Sequence, residues 1–322
     1  MFSILDIDID EAGGIVNRKF LLAYWLPTFV ATVITLSLRA WVYGLDAVWR
    51  WWQQFEPVPG QGKGNFVLAW MLVAILILVT VVAYLLKAFT YPLIQLYEGY
   101  WPLWLRGYVT RCAQWRWERL WRKRAKAWKD GDLVHYAALQ DRLYHGYPSS
   151  KERILATRLG NVLRAAEDYP GTAYGMDGIF WWPRLWLLLP AGVQKGVQDA
   201  LASVLALLNS TTLIGCVAIE GAIYLWRSQS QWWLPLIVLG GGLLVAVVAY
   251  RGAVAQAWTY GQQIRAAVDL YRFDLLRALH QSLPATPLEE RNVWSRLADW
   301  LYNQDQGAVQ ELTYDHGDKH RS

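Results

Sequence analysis

The sequence predicts an all-α, polytopic membrane protein with four transmembrane helices in two hairpins and a helical cytoplasmic region. Three observations carry that expectation. Of 322 residues, 55% are hydrophobic and only 18% are charged, against about 25% charged in an ordinary soluble domain. The missing charge is concentrated in a few apolar runs. Trp occurs 21 times; Trp and Tyr collect where hydrocarbon meets water, because an apolar ring carries one polar group there.

Residues 1–19 read as a cytoplasmic N-terminal segment. It is acidic at Asp6, Asp8, Asp10 and Glu11 and lacks the small-residue site of a cleavable signal. The first hairpin covers 20–86. Its first span, 20–44, holds Pro27 near its start and Arg39 near its end. Its second, 66–86, reads FVLAWMLVAILILVTVVAYLL without a charge, and about 20 such residues cross a hydrocarbon core.

Residues 87–199 read as a basic helical insertion. Helical spacing runs over 91–129, and Lys129-Asp130-Gly131-Asp132 signals a turn. A helix is expected over 133–145. Tyr147-Pro148-Ser149-Ser150 breaks it, and Ser150 can cap a helix over 151–168. Residues 179–190 (IFWWPRLWLLLP) are too few to span and read as an interfacial or re-entrant Trp-rich segment. The second hairpin covers 200–250: a span over 200–226 containing Glu220, and one over 232–250 containing Gly240, Gly241 and Gly242. Residues 251–302 read as amphipathic cytoplasmic helices, and 303–322 as a polar, disordered tail.

The net charge is +5. Seventeen Lys and Arg fall between Lys87 and Asp199, whereas the loop between the first two spans has Arg50 and Lys63 and the second hairpin tip has Arg227. This bias places the insertion and both termini on the cytoplasmic side of an inner (plasma) membrane. Orientation and contact with anionic headgroups account for the basic charge better than nucleic acid does. Cys112 and Cys216 are expected to be free thiols, since two cysteines without a CxxC make neither a disulfide framework nor a metal knuckle.

The halves resemble each other. VVAY occurs at 81–84 and 247–250, and Leu-Pro precedes each pair of spans at Leu26-Pro27 and Leu189-Pro190. Leu26 to Val81 is 55 residues and Leu189 to Val247 is 58. Both copies would share one orientation, so the expected repeat is parallel.

Arg39 and Glu220 are ionisable residues inside apolar spans, where each costs about 2.5–3.5 kcal/mol at mid-span. They could pair. A gate or ion path is one reading; a snorkelling Arg and a structural partner is the other. Asn209, Ser210, Thr211 and Thr212 sit mid-span and would line a polar path, unless the hydroxyls bond back to helical carbonyls. Gly215 and the glycines at 240–242 invite close helix approach, within one chain or between copies of a homo-oligomer. In 152–185, Arg158, Arg164, Asp177, Trp181, Trp182 and Arg184 form a mixed-charge, aromatic stretch. There, Asp168 lies four residues after Arg164 at ion-pair spacing, and the Trp side chains suit a headgroup belt. No phosphate loop, dinucleotide fingerprint, nucleophile elbow or zinc helix occurs. No catalytic residue, metal or cofactor is assigned.

The combination TRLGNVLRAAEDY (157–169), YGMD (174–177) and WPRL (182–185), with LYEGYW (96–101) upstream, resembles a family of uncharacterised bacterial integral membrane proteins. The resemblance covers residues 21–283. It implies a bacterial inner-membrane location and four spans, and it brings no activity.

Three functions stay open. The first is a membrane-embedded scaffold or signalling component whose cytoplasmic helices touch anionic lipid or a partner protein. The second is an oligomeric channel or small transporter, which requires a polar cavity. The third, an intramembrane lipid-modifying enzyme, requires clustered carboxylate, His or Ser groups that the sequence does not assemble.

Overall fold

A computed structural model describes residues 18–44, 50, 64–228, 231–303 and 314–315. The N-terminal segment, the loop between the first two spans and most of the polar tail fall outside the described residues. The described elements are helices. Arg18–Phe20, a π-helical turn at Leu21–Trp25 and Leu26–Tyr43 run on as one helix, α1. It is followed by α2 (Gly64–Ala88), α3 (Thr90–Glu98), α4 (Leu103–Lys129) and α5 (Leu133–Gly146). After a 3-10 turn at Lys151–Arg153 come α6 (Arg158–Tyr174), α7 (Gly178–Trp186), α8 (Ala191–Arg227), α9 (Trp233–Ala278) and α10 (Pro287–Leu301).

Four helices are long and apolar enough to cross a membrane: α1, α2, α8 and α9. At 46 residues, α9 is about 70 Å long at 1.5 Å per residue, more than twice a hydrocarbon core of about 30 Å. The two Leu-Pro dipeptides sit differently. Pro27 lies inside α1, while Pro190 precedes the first residue of α8.

The chain divides into two units. One comprises α1, α2, most of α3, and Ala202–Ala253 of α8 and α9. Its spanning helices leave much apolar surface outward: Leu72, Ile77, Leu244 and Val248 are all exposed. Its interior contacts are small and close. A Cβ on Gly242 would lie 2.3 Å from that of Ala218, and one on Gly221 would lie 2.8 Å from Leu38. Phe20 packs on Tyr84 with ring centroids 4.7 Å apart.

The other unit comprises Gln95–Leu201 and the described residues from Val254 onward. Its core is conventional, with Leu159, Trp181, Leu185, Ile264, Leu276, Trp294 and Leu297 buried. The sequence expectation of a helix over 151–168 capped by Ser150 is corrected here. The chain makes only the short turn, then extends, and α6 begins at Arg158 with Thr157 as its cap, whose side chain accepts from the Gly160 N–H. Asn161 is the reason. Its Nδ2 donates to the carbonyls of Leu155 (2.9 Å) and Thr157 (2.7 Å), and its Oδ1 accepts from Leu155 N–H (2.8 Å), which holds the preceding residues out of the helix.

Candidate functional site

Pro27 determines the polar chemistry of the first unit. Proline has no N–H, so the carbonyl four residues earlier, that of Ala23, loses its α-helical donor. The helix widens to a π turn over Leu21–Trp25. Asn209 of α8 donates to the Ala23 carbonyl at 2.8 Å in a buried setting. Asn209 is therefore a structural plug. The neighbouring hydroxyls bond back along their own helix: Ser210 to Ala206 (2.7 Å), Thr211 to Leu207 (2.7 Å) and Thr212 to Leu208 (3.0 Å). Leucine at 209 is expected to destabilise the protein by about 1–3 kcal/mol, because the carbonyl loses its amide donor. Pro27→Ala restores an N–H, so the double variant should lose less than the sum of the singles; strict additivity of thermal midpoints would exclude the coupling.

Arg39 donates to Glu220 at 2.5 Å. The side chains remain 53% and 44% exposed, so the pair lies on the surface of its unit. Among the four glycines of interest, Gly242 alone meets a neighbouring helix; a Cβ on Gly215, Gly240 or Gly241 would meet nothing within 4 Å. Gly221, which the sequence did not single out, is the second close contact.

In the other unit the motif residues converge on the start of α6. Gly160 touches the end of α3 backbone to backbone: a Cβ there would lie 2.3 Å from the Glu98 carbonyl oxygen. Thr157 Oγ1 donates to the Tyr97 carbonyl at 2.6 Å. Gly99 has φ +94°, a conformation glycine adopts freely, and it turns the chain so that Tyr100 OH accepts from Arg164 at 2.8 Å. Arg164, which is buried, also pairs with the nearly buried Glu167 at 3.4 Å. Glu98 completes the cluster. Burial, reinforced by the Glu167 carboxylate and only partly opposed by Arg164, pushes its pKa up to about 7.

The expected Arg164–Asp168 pair is replaced. Asp168 pairs with Arg153 at 2.5 Å, and burial raises its pKa despite that guanidinium. Asp177 caps α7, accepting from Ile179 and Phe180 N–H at 2.9 and 3.0 Å. Gly175, with φ +74°, ends α6. Arg184 donates to the Phe180 carbonyl at 2.8 Å and lies 4.1 Å over the Phe180 ring. Trp181 and Trp182 are 0% and 3% exposed. They form no headgroup belt within this fold; Trp181 packs edge-on against Trp294, with centroids 5.2 Å apart. The same amphipathic ring that suits an interface also suits a core.

A second polar layer was not singled out from the sequence. Tyr169 and Tyr174 both donate to Asp269 Oδ1 at 2.7 Å. Arg265 donates to the carbonyls of Tyr144 (3.0 Å) and Ala165 (3.2 Å) and meets His145 Nδ1. Burial, then Arg265, lowers the His145 pKa. A guanidinium only donates, so Nδ1 accepts from Arg265, while Nε2 faces Asp141 at 3.2 Å. Arg272 pairs with buried Glu290 at 2.8 Å.

These groups hold one another. Buried charges matched in this way fix a geometry. Among the described residues, no three His, Cys, Asp or Glu side chains gather as a metal site requires. Arg158 differs from its neighbours. It is exposed at the start of α6, where it lines a recess with α4, α5 and α9. Comparison of the chain with protein-family models, curated proteins and solved structures returns no match.

Proposed function

We propose that the protein is a scaffold embedded in the bacterial inner membrane, with residues 87–199 and both termini cytoplasmic and its helical cytoplasmic region offered to anionic lipid or a partner protein. One observation carries this reading over a channel. The groove between α1, α8 and α9, about 780 Å³, is lined by apolar side chains and Ser210, whose hydroxyl already donates to Ala206. Residues that would line a polar path are held in structural bonds: Asn209 by Ala23, and Thr211 and Thr212 by their own helix. Such a groove suits acyl chains or another apolar helix, and among the described residues it offers an ion no charged side chain. The Lys/Arg bias of 87–199 supports the orientation, and the similar spacing of the two Leu-Pro and VVAY units supports a parallel repeat of the span pairs.

Liposomes containing the purified protein are expected to pass neither K⁺, Na⁺, H⁺ nor Cl⁻ above the protein-free rate. Glu220→Gln together with Arg39→Gln should leave that baseline unchanged. Flux abolished by Glu220→Gln would replace the scaffold reading with a channel.

A further inference from the structure

The recess at Arg158 is basic by construction. Arg116, Arg119 and Lys123 of α4 line it, at the i, i+3, i+7 spacing that puts them on one helix face. Arg142 of α5 and Arg158 of α6 join them from distant parts of the sequence. Its volume is about 420 Å³, within the usual range for small-ligand sites. Indoles wall it: Trp115 carries Arg119 5.6 Å over its ring, and Trp258 of α9 is seated against Gly146 and His145. Among the described residues, no carboxylate lines the recess. Glu118, the one acidic residue of α4, is engaged with Lys151 at 2.6 Å and Arg122 at 3.3 Å. Among the described residues none pairs with the five cations.

Cations on a solvated helix face ordinarily diverge, because like charges repel. Here three helices bring five around one concave space, which concentrates positive potential and favours an anion of matching size. Guanidinium groups bind phosphate oxygens through paired N–H donors, and four of the five are Arg. We propose that this recess binds a phosphate-bearing anion, either a soluble phosphate compound or the phosphodiester headgroup of an anionic lipid. The proposal goes beyond the scaffold reading and does not depend on it.

The test uses the full chain in phosphatidylcholine nanodiscs. One arm titrates inorganic pyrophosphate by calorimetry. The other adds phosphatidylglycerol to the discs and measures lipid retained by the protein in native mass spectrometry. Saturable binding of at least one probe is expected; pyrophosphate alone identifies a soluble ligand, phosphatidylglycerol alone a headgroup. Arg142→Glu with Arg158→Glu should weaken that binding about tenfold or more. Lys126→Glu with Lys129→Glu makes the same charge change on α4 outside the recess and should alter it less than about threefold. Both recess positions are exposed, and the milder Arg142→Gln with Arg158→Gln guards against misfolding by showing an intermediate loss. Saturation by neither probe, or equal loss in the two Glu pairs, would overturn the proposal. Ion flux and phosphate binding are read separately, so either idea can fail alone.

Discussion

Trp294→Ala is expected to lower the thermal midpoint of the purified protein by roughly 10 °C, combining about 3–5 kcal/mol for a buried aromatic with about 2–4 °C per kcal/mol in a unit of this size. Trp294 is 0% exposed and joins α10 to the rest of its unit. Its ring packs on Trp181, itself stacked edge-on against Phe180. Its Nε1 donates to Glu290 Oε1 at 3.4 Å, the oxygen that also receives Arg272. Alanine would open a cavity beside a buried ion pair and remove one of its donors. Phe at 294 should recover part of the loss by restoring packing without the N–H. Trp104, 78% exposed, serves as the control: Trp104→Ala should shift the midpoint by no more than about 2 °C. Equal shifts for the two tryptophans would show that the indole core does not hold this unit.

The second large effect is in pH. Glu98 has a pKa near 7 in the folded protein, raised chiefly by burial, against about 4.3 when unfolded. Between those values the folded state holds the proton and the unfolded state releases it. The stabilisation is therefore fully present below about pH 4.3, declines as pH rises, and is gone above about pH 7; over the whole window it amounts to about 4 kcal/mol. Glu98→Gln keeps the shape and abolishes the titration. The wild-type midpoint minus that of the Gln variant should fall steadily from pH 4.5 to 7 and stay level to pH 8.5. His145 works in the opposite direction, since its lowered pKa makes acid destabilising; the subtraction removes its contribution. A difference independent of pH would dismiss Glu98 as the titrating group.

The spanning helices were legible in the sequence because an uncharged run of about 20 residues has few other uses. Their junctions were less so. The i, i+4 spacing of Arg164 and Asp168 is a real local preference, but Glu167 and Tyr100 reached Arg164, and Arg153 reached Asp168. Long-range partners leave no periodicity to read. Three consecutive glycines looked like one contact surface. Successive residues on a helix point about 100° apart, so a single neighbour meets one of them, Gly242. Tryptophan count announced interfaces, yet Trp181, Trp182 and Trp294 are core residues. Nothing in the composition separates an indole in a headgroup layer from one between helices. Asn209 carries a usable sequence signal: a proline inside a helix orphans a known carbonyl, and a mid-span amide is a natural donor for it.

That pairing also orders events during synthesis. The Ala23 carbonyl and the Asn209 amide are 186 residues apart in the chain. At about 5–20 residues per second, translation takes roughly 10–40 s to supply the second after the first. Through that interval the Ala23 carbonyl is without the amide that donates to it in the finished fold. The buried bond on the first helix thus waits for a segment translated much later.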